Sequence, residues 1–167
     1  MTKQFFLSLL LWAAVSPTHA GISVGQEPFD NLGKDQTGER VQISQHRGKL
    51  VIVSFFATWC GPCRKELPIL AEIQKRAGRD KVVVVIVNYK EERRVYSQVV
   101  KLFADYDLVV THDRDGRISS KFDVDALPRL VIVGKDGKVA AQHRGYNESS
   151  LPKLVDEINR LWNVAPN

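Results

Sequence analysis

The chain has only two cysteines in 167 residues. That is too few for a small fold stapled by disulfides, and too few for a structural zinc site of four thiolates. Methionine occurs once, as Met1, so a thioether copper site has no ligands to draw on. Neither sign of charge dominates. Lys plus Arg is 24, Asp plus Glu is 19, and the net charge of +5 is spread along the chain. This makes no case for nucleic-acid binding. Uninterrupted apolar runs of about 20 residues, the length an ordinary spanning helix needs, are also missing, as are internal repeats and low-complexity stretches. What remains is 44% hydrophobic and 26% charged, an ordinary globular composition. The length suits one domain with a short appendage.

The appendage is N-terminal. Lys3 supplies a positive start, Phe5–Val15 is apolar except for Ser8, and Thr18 and Ala20 are small residues at cleavage-site spacing. This is the pattern of a secretory signal covering residues 1–20, cut after Ala20, with an uncleaved membrane anchor as the alternative. The domain is then expected over residues 21–167 and large enough to bury a core of its own.

Within it, alternation at Phe29–Leu32 and Val41–Ile43 around Asp35-Gln36-Thr37-Gly38 predicts a β-hairpin. Leu50–Phe56, Val82–Val87 and Leu130–Val133 are nearly all apolar and rich in β-branched residues, as strands covered on both faces are. Lys135-Asp136-Gly137 turns the third of these into Lys138–Ala141. Helical spacing predicts helices over Pro62–Ala77, over Val95–Tyr106, and over Leu151–Trp162 with Ser149 or Ser150 as cap. The order implies an α/β fold, a central mixed sheet with helices on both faces and an N-terminal hairpin extension. Lys90-Glu91-Glu92-Arg93-Arg94 reads as a solvated helix start, with a docking patch as the alternative.

Both cysteines fall in Trp59-Cys60-Gly61-Pro62-Cys63, after a buried strand and at the start of a helix. Dithiol redox chemistry needs this placement. Two intervening residues let the sulfurs bond across the first helical turn, and the helix N-terminus favours a thiolate. Pro62 fits a first turn, where its missing N–H costs nothing. Cys60 is then the expected nucleophile and Cys63 the resolving thiol. His46, His112 and His143 stand apart without ligand spacing, and neither a metal nor an organic cofactor is implied. A binding or metal-handling module without redox turnover is a second class of reading. Reversible cycling of the pair with a small thiol separates the two.

Glu66 is the one charged residue on the apolar face of the predicted helix. With Cys63 set at zero and about 100° per residue, Leu67, Leu70, Ala71 and Ile73 lie within about 80° of Cys63, and Glu66 lies at about −60°. Burial there would raise its pKa and suit it to carry the Cys63 proton. The alternative is a glutamate that only complements the helix dipole.

The stretch Phe55-Phe56-Ala57-Thr58-Trp59-Cys60-Gly61-Pro62-Cys63-Arg64-Lys65-Glu66-Leu67-Pro68 resembles the active site of exported thioredoxin-fold proteins of the TlpA/ResA type. The likeness continues through Val124–Pro128 and Val133–Val139 and covers roughly residues 28 to 163. It implies a thioredoxin fold and thiol–disulfide exchange outside the cytoplasm. It also implies reduction of disulfide-bearing proteins, often in cytochrome c maturation, with electrons from a membrane thiol reductase. The chain is expected to act as a monomer. The resemblance further implies a cis bond before Pro128, set against the active disulfide, with the Leu127 backbone open to a substrate strand and Trp59 beside it. Leu127 and Arg129 depart from the small residues commoner around that proline, which bears on substrate preference. The acid that cytoplasmic thioredoxins carry six residues before the first cysteine is replaced by Ser54, which favours Glu66 as the proton carrier. A thiol peroxidase shares the fold, but its Pro-x-x-x-Thr-x-x-Cys spacing is missing around Cys60.

Overall fold

In the computed structural model, residues 22–163 are described; the expected leader lies outside them. Strand β3 (Leu50–Phe56) is buried at every position and lies at the centre of a five-stranded sheet, beside β4 (Val82–Tyr89). Their register is parallel, Val51 opposite Val83 and Phe55 opposite Val87. β5 (Val109–Asp113) continues the parallel run on the far side of β4. β6 (Arg129–Val133) returns antiparallel on the other side of β3, and β7 (Val139–Arg144) closes the edge as its hairpin partner. The order is β5-β4-β3-β6-β7.

This order decides where the helices go. α1 (Gly61–Ala77) connects β3 to β4, and α2 (Arg93–Leu102) connects β4 to β5, both steps in one direction. Right-handed crossovers in one direction fall on one face of the sheet. Leu67 and Leu70 of α1, Val99 of α2, and Leu154 and Ile158 of α3 (Leu151–Asn163) accordingly share one core with Ile52, Val84 and Ile132. Among the described residues, the opposite face, lined by Val53, Phe55, Val85 and Val131, carries no α-helix, which corrects the expectation of helices on both faces. It is covered by Leu32, Val41 and Ile43 from the N-terminal hairpin and by Ile118 and Phe122 around a 3-10 turn at Ser119–Phe122. The hairpin is a two-stranded sheet of β1 (Asn31–Lys34) and β2 (Arg40–Gln42), shifted slightly from the expected alternation.

Three further expectations are corrected. The second helix starts at Arg93 and ends at Leu102, so Phe103 and Tyr106 lie beyond it. Leu102, its last residue, is exposed. The third helix is not capped by Ser149 or Ser150. Asn147 accepts from the Ser149 amide and starts a 3-10 turn (Glu148–Ser150) that runs into α3. The charge run from Lys90 is not solvated throughout, because Glu91 is buried.

Candidate active site

α1 begins where β3 leaves the sheet. Cys60 is its N-cap, in extended backbone, and its sulfur accepts from the Cys63 amide at 3.2 Å. Pro62 occupies the first turn, where no backbone donor is lost. Cys60 and Cys63 are joined in a disulfide. Cys60 keeps 4% of its surface and Cys63 none, so only the first sulfur can be approached from solvent. Trp59, beside it, is 67% exposed.

The Leu127–Pro128 bond is cis. Arg129 stands opposite Phe55 in the antiparallel register. Pro128 therefore precedes it at the level of Phe56, where β3 turns into the cysteine loop. The Pro128 carbonyl accepts from the Gly145 amide at 2.8 Å, tying this segment to the end of β7. Arg129 is buried. It donates from Nε to the Phe122 carbonyl at 3.4 Å and from Nη2 to Gln142 Oε1.

α1 buries Cys63, Glu66, Leu67, Leu70, Ala71, Gln74 and Ala77, one stripe at helical spacing. Glu66 is thus carried inward with the leucines and is 2% exposed. Its Oε2 accepts from Ser54 Oγ at 2.9 Å. Burial pushes its carboxyl up to about 7, against a smaller downward pull from the Ser54 hydroxyl. A carboxyl poised there can take and return protons near neutral pH.

Behind the loop stands a second buried carboxylate that the sequence reading missed. Glu91 accepts from the Thr58 amide at 3.0 Å, from Thr58 Oγ at 2.5 Å and from Asn88 Nδ2 at 2.6 Å. Its one signal in the sequence is position. It comes two residues after the end of β4, at the strand ends where sites of α/β sheets gather. Of the histidines, His112 bonds the Glu91 carbonyl at 2.7 Å, and His143 bonds Glu157 at 2.6 Å.

The Redoxin family model matches residues 24–158. The chain is 35% identical over 138 residues to a thioredoxin-like protein YneN of Bacillus subtilis, covering 81% of this chain and 79% of the relative. It is 30% identical over 155 residues to the thiol-disulfide oxidoreductase ResA of the same organism, covering 93% and 85%. Among solved structures, that of a protein described as a thiol:disulfide interchange protein DsbE from Chlorobium tepidum superposes with a TM-score of 0.76 at 25% identity, covering 86% of this chain and all of that one. StoA from Bacillus subtilis, at 22% identity and a TM-score of 0.63, shares the fold over 78% of this chain and 97% of its own. The chain therefore belongs to the Redoxin family and is a thioredoxin-fold thiol–disulfide oxidoreductase of the ResA type.

Proposed function

We propose that the protein reduces disulfides of proteins outside the cytoplasm. The observation that carries this reading is the asymmetry of the cysteine pair. Cys60, at the helix N-terminus, is the one of the two that keeps any exposed surface, while Cys63 is fully enclosed with the buried Glu66 one turn further along.

In the reduced protein, the Cys60 thiolate attacks one sulfur of a substrate disulfide. A mixed disulfide forms and the substrate's other sulfur leaves as a thiolate. Cys63 gives its proton to the Glu66 carboxylate and attacks the Cys60 sulfur. The second substrate sulfur leaves and takes a proton. Two electrons have passed to the substrate, and the protein is left with the Cys60–Cys63 disulfide. We assign Trp59, Leu127 and Pro128 to hold the substrate, the Leu127 backbone by strand-like pairing.

The return to the dithiol needs an electron donor, which we assign to a membrane thiol reductase. Residues 1–20 are the leader that exports the chain, cut after Ala20. Among the described residues, no helix is long and apolar enough to cross a membrane. The resemblance to the TlpA/ResA type supports apocytochrome c as one substrate. Cys63→Ala is expected to accumulate mixed disulfides through Cys60, visible on non-reducing gels and lost on adding a thiol. Trapping by Cys60→Ala instead, with none by Cys63→Ala, would reverse the assignment.

A further inference from the structure

The turn that delivers Cys60 has little packing of its own. Thr58 and Trp59 are both exposed, and the turn closes through a single backbone bond from the Cys60 amide to the Ala57 carbonyl at 3.0 Å. Its remaining anchors meet at Thr58. Arg64 of α1 donates to the Thr58 carbonyl at 2.8 Å. Glu91 takes both the Thr58 amide and its hydroxyl, and so ties the turn to the end of β4.

Glu91 is itself held from two sides. Asn88 donates to its carboxylate and His112 bonds its carbonyl, the His112 ring being stacked on Tyr96 at 4.6 Å. The residue before it, Lys90, adopts a left-handed backbone with φ of 50°. Side chains other than glycine rarely adopt that conformation, and where it persists the surrounding structure imposes it, commonly at functional sites. Here it turns the chain off β4 so that the next side chain points back at the cysteine loop. A left-handed residue thus sets a buried carboxylate that takes three donors, two of them from one exposed threonine two residues from the reactive cysteine.

We propose that Glu91 is a positioning residue for thiol–disulfide exchange. Acting through Thr58, it fixes the turn that presents Cys60 at the helix N-terminus. The proposal rests on Cys60 as the attacking thiol. Small displacements of a reacting atom cost rate far more than they cost stability, so the expected effect is kinetic.

The test uses the full-length reduced protein and a chromogenic aromatic disulfide, followed by stopped flow. Glu91→Ala is expected to react about tenfold more slowly, or worse, while folded by circular dichroism. Glu91→Gln is expected to stay within about threefold of the parent. Its amide oxygen still accepts from the Thr58 amide and Asn88, and its amide nitrogen donates to Thr58 Oγ, so three bonds survive without the charge. A folded Glu91→Ala reacting at the parent rate overturns the proposal, as does a Gln variant as slow as the Ala variant. If Glu91→Ala does not fold, Thr58→Ala decides. Losing only the hydroxyl bond, it should be about threefold slower, and a parental rate overturns the proposal. Cys60→Ala, measured alongside, tests the thiol assignment separately.

Discussion

Two buried glutamates flank the cysteine pair, and the number of donors each faces sets them apart. Glu91 receives three and Glu66 one, from Ser54. With one donor, burial prevails at Glu66 and its carboxyl rises from the ordinary 4.5 to about 7. Between those two values the folded protein holds a proton that the unfolded chain has released, so stability falls as pH rises from about 4.5 to about 7. Glu66→Gln should match the parent below that window and exceed it above by up to about 3 kcal/mol. Urea unfolding of the oxidised protein at both ends of the window measures this, and an unchanged pH dependence in the variant would assign the slope to other groups. Ser54→Ala removes the one bond that favours the ionised form. The Glu66 titration, followed by carboxyl carbon NMR, should then move further above about 7. If it stays in place, the hydroxyl has no hold on the proton. Helical phase alone put Glu66 on the apolar face, because a charge among leucines breaks a strong periodicity. Glu91 had no such contrast. It sits in a run of charges, and its burial comes from the left-handed turn at Lys90 and from Thr58, 33 residues away in sequence. No local pattern encodes either.

The strands were readable because burial on both faces demands continuous β-branched runs, and β3, β4 and β6 fall where those runs lie. α2 was misplaced because its apolar spacing continues past the end of the helix. The helix closes as the Phe103 amide bonds the Val99 carbonyl and the Ala104 amide bonds that of Lys101. Phe103 and Tyr106 then pack edge to face in the following loop, with Phe103 also against Phe56. Equal spacing served a loop cluster rather than a helix face. Nor did the sequence reveal how the sheet ends are finished. Side-chain amides extend the ladder where backbone partners run out. Gln74 accepts from the Val84 amide at 2.7 Å and donates to the Asp107 carbonyl. Gln36, at the tip of the hairpin, accepts from the Val110 amide at 3.1 Å and donates to the Leu108 carbonyl at 3.4 Å, covering the outer side of β5. Edge strands with open donors invite pairing with other chains. Gln36→Ala should therefore cost about 1 kcal/mol, and the Val110 amide should exchange faster by a matching factor while the Val84 amide keeps its protection. Equal acceleration at both would mean global destabilisation instead of a lost edge cover.

At the scale of the whole molecule, the open quantity is the direction of electron flow, and the surroundings of the cysteine pair argue it. Groups that stabilise the Cys60 thiolate favour the reduced form and make a protein oxidising. Gly61 and Pro62 supply no charge between the cysteines. The two cations that follow are engaged elsewhere, Arg64 with the Thr58 carbonyl at 2.8 Å and Lys65 with Glu148 at 2.6 Å. His112 is committed to the Glu91 carbonyl. What remains for the Cys60 sulfur is the Cys63 amide at the helix end. This balance predicts a potential nearer thioredoxin's, about −270 mV, than the roughly −120 mV of a strong oxidant. In an oxidising compartment such a protein exists as the dithiol only while a partner recharges it. Redox titration of the protein against dithiothreitol and glutathione, read by alkylation of the two cysteines, gives the value directly. A potential near that of the strong oxidant would make the protein a donor of disulfides. The fold and the exchange chemistry would stand, and the membrane reductase would no longer be required.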